Sequence, residues 1–370
     1  MDTQAFYNCH IHTFNEEDIP ERFYPKLLMD FLRKESTEEL MLNFLRFVHK
    51  LEKFFGIDAE EAERYLQFYL VGSQNSQREI FDLCRSSYPP STKYFVLSMD
   101  MQFMGCGDVP RDFRAQLAEL SQIDQEQILP FVHIDPRRDG YFDILRDAIE
   151  QMGFRGVKLY PPLGVFPHDS RFDSVYQYCI DNNLPIVSHC SPHNPTHFKG
   201  SRRELLKLLQ NPYFEINPHG LDKKDLCDIF THPKNYRIVC EKYPELRISL
   251  AHYGSDKMWT SWLCHPEDPE NWVNIINSMI QEYPNLYTDI SYTMYYNVTD
   301  CKHNFYKTLK EFLDNENIRR KVLFGSDFYM PASKETDMHY ANNIIDAIGE
   351  EYFNAIAVEN PKQFLNEQIA

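Results

Sequence analysis

The chain carries an H-x-H pair, His10 and His12, inside an apolar run over residues 5–12. Such a run reads as a β-strand, in which side chains i and i+2 share one face about 7 Å apart. Two imidazoles so placed can converge on one metal ion, although the pair alone is weak evidence for one. It gains weight because three later apolar runs close on the residue types that would complete a shell. His189 ends Pro-Ile-Val-Ser-His, His252 ends Ile-Ser-Leu-Ala-His, and Asp327 ends Val-Leu-Phe-Gly-Ser-Asp. Three histidines and a carboxylate suit Zn²⁺ first, with Mn²⁺, Fe²⁺ and Co²⁺ also compatible. A metal there would bring the pKa of a bound water towards ~7 and polarise a carbonyl. A histidine left off the metal could move protons.

Each of these residues has a plainer reading by itself. His189 or His252 alone is a hydrogen-bonded core histidine, and Asp327 alone caps a loop. The coincidence of all five at run ends is what carries the chemistry. Weaker candidates surround them. His133, followed by Asp135-Pro-Arg-Arg138, reads as structural. His193, His197, Arg202 and Arg203 follow the fifth run and could meet a substrate carboxylate, with a solvated role as the alternative. Tyr160, Tyr253 and Tyr329 each follow a run end and could line a pocket, but aromatics also simply pack. Trp259, Trp262 and Trp272 read as outer-layer packing.

The elements that must position these groups are eight short apolar runs, at 5–12, 94–101, 128–134, 156–160, 185–189, 247–252, 286–291 and 322–327. Several are continuously apolar, as expected of parallel strands covered on both faces. Helical periodicity lies between them at 111–123, 140–152, 172–182, 272–282 and 305–315. Strands alternating with helices indicate βαβ units, and eight of them predict an α/β fold, a (β/α)8 TIM barrel formed by residues 1–370 as one domain. An open doubly wound sheet is the runner-up, disfavoured because no glycine-rich phosphate loop follows the first run. Two connections exceed simple loops. Residues 16–90 form an insertion after strand 1 with helical patterns at 37–54 and 59–70, and residues 192–246 form a long, proline-bearing loop insertion after strand 5. In a barrel both leave the active-site rim, so they would serve as lid or pocket wall, or simply as packing.

Composition narrows the function class. A formal net charge of −17 repels phosphate backbones and anionic headgroups, which argues for a small-molecule substrate rather than nucleic acid or membrane. Nine cysteines, an odd number without C-x-x-C pairs, argue against a disulfide framework or a cysteine-type zinc finger. Reduced thiols and the absence of a signal-like N-terminal segment point to the cytoplasm. A homo-oligomer is compatible with all of this.

Longer stretches carry a family resemblance: Gly-Phe-Arg-Gly-Val-Lys-Leu-Tyr-Pro-Pro-Leu-Gly164, Pro-Ile-Val-Ser-His-Cys190, Tyr-Pro-Glu-Leu-Arg-Ile-Ser-Leu-Ala-His-Tyr-Gly254, Tyr-Pro-Asn-Leu-Tyr-Thr-Asp-Ile-Ser291 and Val-Leu-Phe-Gly-Ser-Asp-Phe328. With the H-x-H pair, the chain resembles the amidohydrolase superfamily, and more closely its amidohydrolase-2 branch, which includes aminocarboxymuconate-semialdehyde decarboxylase and related hydrolases. The resemblance implies that His10, His12, His189 and Asp327 bind one divalent metal. His252 would then act as general acid/base, and Asp327 could accept the water's proton. Lys158 stands where binuclear members use a carboxylated lysine, and in that arrangement His189 and His252 would hold a second ion. The expected activity is hydrolysis of a C–O or C–N bond in a small lactone, ester or amide. The alternatives are non-oxidative decarboxylation of a small aromatic or unsaturated acid, and a non-catalytic binding module.

Overall fold

The computed structural model describes residues 6–24, 69–194, 196–210, 212–293, 300–328 and 334–367. The helical segment anticipated at 37–54, residues 59–68 of the one anticipated at 59–70, and Tyr329 lie outside the described residues, while residues 69 and 70 are helical.

Eight strands follow one another around a single parallel sheet: β1 Tyr7–Ile11, β2 Lys93–Leu97, β3 Ile128–His133, β4 Gly156–Leu159, β5 Ile186–Ser188, β6 Ile248–Leu250, β7 Leu286–Asp289 and β8 Val322–Leu323. All neighbours pair in parallel and in sequence order, which is the TIM-barrel topology. The helices fall where periodicity placed them, for example Tyr141–Met152, Asp173–Asp181 and Trp272–Glu282. Their apolar faces and the outward strand residues share one large buried cluster. A second cluster fills the barrel with Tyr7, Cys9, Phe95, Leu97, Phe131 and Val187, and Phe364 from the C-terminal helix joins it. Phe95 stacks on Phe131 at 5.0 Å and on Phe364 at 6.3 Å. The lower barrel is therefore solid, and a site can open only at the rim above it.

Closure is made by the segment after β8 rather than by β8 itself. The Cys9 amide donates to the Phe324 carbonyl (2.8 Å), the Asp327 amide to the His10 carbonyl (2.8 Å), and the His12 amide to the Phe328 carbonyl (2.8 Å). Gly325 permits this close passage. A Cβ there would lie 2.8 Å from the His10 Cβ and 3.1 Å from the Ser291 Cβ.

The insertion after β5 is more regular than a long loop. It contains helices Arg202–Leu208, Lys223–Thr231 and Tyr236–Lys242, the first two opened by capping boxes at Ser201 and Asp222. The described ends of the first insertion lean on neighbouring rim segments: the Arg22 amide donates to Cys106 (3.0 Å) and the Lys199 ammonium to the Phe23 carbonyl (2.6 Å).

Candidate metal centre

The site begins with a break in strand regularity. Tyr7 and Cys9 face the barrel interior, so strict alternation would turn His10 outward. The β1–β2 register shifts between Asn8 and Ile11, and past that irregularity His10 and His12 point inward while Ile11 joins the outer cluster. Across the closure seam, Asp327 takes a left-handed backbone conformation (φ 60°), which aspartate tolerates better than most residues other than glycine, and this returns its carboxylate to the same point. One oxygen of Asp327 lies 3.6 Å from the Nε2 of both His10 and His12. The donor atoms of these three buried residues lie within 4.8 Å of one another.

The nitrogens turned away from that point are held. His12 Nδ1 lies 2.8 Å from the Leu97 carbonyl, so it carries the proton and leaves Nε2 with its lone pair. His10 Nδ1 lies 3.1 Å from Asp289. Among the described residues the buried His10 Nε2 has no hydrogen-bond partner, as a ligand atom awaiting an ion would.

His189 and His252 stand beside this trio and face each other. His252 Nε2 is 3.1 Å from His189 Nδ1, and the Asn194 amide sits on the far nitrogen of His189. His189 is thus brought to the site but not into the tight three-donor group. His252 belongs instead to a second grouping with His10 and Asp289. It sits on a short turn after β6 with φ 70°, followed by Tyr253 at φ 44°.

Burial governs the protonation states. It lowers the pKa of His10 to about 4 and of His252 to about 3, and drops His12 and His189 well below the usual imidazole value, with the Lys158 charge adding to the effect. Neutral imidazoles are the form that binds metal. Burial alone would push the Asp289 carboxyl up, but attraction and hydrogen bonds from His10, His252 and Ser291 outweigh it and hold Asp289 well below the usual carboxylate range. Lys158 points into the same interior. Burial brings its ammonium down to about 8, against the pull of Asp289 and Asp327, and its Nζ has no hydrogen-bond partner among the described residues.

The outer candidates separate. Tyr160 is at the site, its ring 4.5 Å from that of His189 and its hydroxyl on the Thr196 carbonyl (3.2 Å). Tyr253 is not a pocket wall: its ring packs on Trp259 at 5.4 Å in the helical layer and its hydroxyl binds Asn277. His193 stands on the rim, 3.3 Å from Asp225 and 3.4 Å from Asp228, with the Lys257 ammonium against it. His197 bonds the Asn194 carbonyl (2.6 Å), and Arg202 is tied to the carbonyls of Leu221 (2.6 Å) and Pro218 (2.9 Å). His133 accepts the Asp100 amide (2.8 Å), beside the Asp100–Arg138 ion pair. Trp259 packs among Trp262, Phe305 and Phe312.

Sequence reasoning passed over Asp289, Ser291 and Asn194. Asp289 had a signal: it ends β7 on the parity of Tyr287, an interior residue, just as Asp327 ends the eighth run.

The model of the amidohydrolase-2 family, described as amidohydrolase, matches residues 104–366. The chain belongs to the amidohydrolase-2 family. Its barrel is similar to several solved structures. A 5-carboxyvanillate decarboxylase from Novosphingobium aromaticivorans, with bound manganese, is 13% identical (TM-score 0.55; 99% of both chains covered). An amidohydrolase from Burkholderia multivorans with bound zinc is 11% identical (TM-score 0.53; 99% of this chain and 100% of that one). A probable 2-pyrone-4,6-dicarboxylic acid hydrolase from Acinetobacter baumannii is 12% identical (TM-score 0.51; 98% and 100%). No curated protein matches the chain. These similar structures thus include a probable hydrolase and a decarboxylase, and two of the three carry a bound metal. Among the described residues no helix is long and apolar enough to cross a membrane.

Proposed function

We propose that this chain is a metal-dependent hydrolase cleaving a C–O or C–N bond of a small lactone, ester or amide in the cytoplasm. The observation that carries the reading is the buried trio of His10, His12 and Asp327, with the partnerless His10 Nε2 at its centre. These residues fit one divalent ion, zinc ahead of manganese, iron or cobalt, with His189 beside them as a further candidate ligand. When bound, such an ion supplies Lewis acidity and acidifies water.

The chain's own groups then divide the remaining work. His10 and His12 keep their Nε2 lone pairs inward because Asp289 and Leu97 hold the opposite nitrogens. Asp327, which presents one carboxylate oxygen to both imidazoles as the ligand atom, can take a proton at its other oxygen. His252, neutral at working pH, can receive a proton at Nε2 and return it to a leaving group. Tyr160 walls the pocket beside His189. The Lys158 ammonium attracts an anionic group, and this favours a second reading, decarboxylation of a small carboxylic acid.

Two measurements test the proposal. Protein grown in metal-supplemented medium should carry close to one divalent ion per chain, and His12→Ala should lose most of it; an ion content near zero in the unaltered protein would sink the reading. Profiling with lactones and amides against hydroxylated aromatic carboxylates then separates the reactions. Release of CO2 without hydrolysis would replace the first reading by the second.

A further inference from the structure

We propose that Asp289 is a positioning residue that dictates which nitrogen of His10 carries the proton, and so keeps the Nε2 lone pair available to an ion. The argument is a count of donors. The two Asp289 oxygens are asymmetric in their surroundings. Oδ1 receives the His252 backbone N–H (3.0 Å), the Ser291 backbone N–H (3.1 Å) and the Ser291 hydroxyl. Oδ2 faces His10 Nδ1 (3.1 Å). Three donors on Oδ1 hold the group as an ionised carboxylate, which can only accept, so His10, facing Oδ2, is protonated at Nδ1.

The assignment propagates. Ser291 has one hydroxyl hydrogen, and the Asp289 carboxylate takes it, so the Ser291 oxygen can only accept, from His252 Nδ1 and from His10 Nδ1, which lies 3.1 Å away. His252 Nδ1 lies 3.0 Å from that oxygen and 3.0 Å from the Ser291 carbonyl, two acceptors, and must carry a proton. Its Nε2 is then a lone pair 3.1 Å from His189 Nδ1, which must donate. That leaves a lone pair on His189 Nε2. The far end of the chain agrees independently: the Asn194 amide nitrogen is identified by its bond to the Ser191 carbonyl (2.8 Å), and it donates to His189 Nε2. One carboxylate thus orders three imidazoles. It also places the His189 N–H on the His252 Nε2 lone pair, so His252 can take up a proton there only once the His189 contact opens.

The asymmetry makes Asp289→Asn a sharp perturbation. Three donors require an oxygen at the Oδ1 position, so the amide nitrogen must replace Oδ2 and point its N–H at His10. His10 is then driven to the Nε2–H tautomer, which puts a proton on the atom meant for the metal. The test uses metal-free protein labelled with ¹⁵N-histidine. Two-bond ¹⁵N–¹H correlations distinguish the tautomers, with assignment from single histidine variants. The unaltered protein should show Nδ1–H at His10 and His252. In Asp289→Asn, His10 should switch to Nε2–H, with Zn²⁺ affinity by chelator competition falling about 10- to 100-fold. Asp289→Glu, which restores an acceptor, should recover the Nδ1–H form. Should Asp289→Asn fail to fold, the unaltered spectrum still decides. Nε2–H at His10, or an unchanged His10 tautomer in Asp289→Asn, overturns the proposal. The consequence for metal affinity rests on the metal-centre reading above; if the unaltered protein binds no Zn²⁺, that reading fails while the tautomers remain decided by the spectrum.

Discussion

Lys158→Met in the metal-free protein isolates the cost of placing an ammonium inside the barrel. Lys158 is wholly buried on β4, its Nζ has no hydrogen-bond partner among the described residues, and burial brings its pKa from 10.5 down to about 8. At ~1.4 kcal/mol per pH unit, keeping the proton on Lys158 at neutral pH costs the fold about 3 kcal/mol. The cost is fully present below about pH 8, where folded and unfolded chains both hold the proton. It declines between about 8 and 10.5, because there the unfolded chain binds more protons than the folded one and stability rises with pH. Methionine has similar length and no charge, and its flexible thioether fills the same space. Lys158→Met should therefore be more stable by about 2–3 kcal/mol at pH 7, most of the gain fading by pH 10.5. Urea unfolding of chelator-treated protein across this pH range gives both quantities, and the difference between the two proteins cancels other titrations. A gap that stays constant with pH, or a less stable variant at pH 7, would refute the argument and mean that Lys158 is paired or solvated. A fold that carries such a cost at its centre is expected where the charge serves function.

Two further perturbations address the site. His252→Asn should keep the ion and lose turnover by ~10²–10⁴ on whichever substrate class proves active, as for a general acid/base; loss of the ion as well, by elemental analysis, would show that His252 is a ligand. Gly325→Ala should drive β1 from the closing segment, because the new Cβ would fall 2.8 Å from the His10 Cβ. A stability loss of about 1–3 kcal/mol with weakened Zn²⁺ uptake is expected, read by thermal unfolding and chelator competition.

The barrel was legible in the sequence because parallel strands buried on both faces must be short apolar runs, and helices between them must show a 3.6-residue period. The run at 128–134 became Ile128–His133 and the helix at 272–282 became Trp272–Glu282. Placement at strand ends also singled out His10, His12, His189, His252 and Asp327, since in a barrel those ends share one rim. What the sequence could not contain was the aim of each side chain. The register shift that turns His10 inward, the left-handed turn that returns Asp327, and the closure of β1 on residues 324–328 depend on strands remote in sequence. The same holds for proton placement. His10 and Asp289 are 279 residues apart, and only folding makes one the acceptor for the other. Tyr160 and Tyr253 look alike as aromatic residues after strands, yet one ring lies against His189 and the other against Trp259. Composition and period determine which segments are buried; directed contacts between distant segments determine which buried polar atoms meet, and the chemistry resides in those contacts.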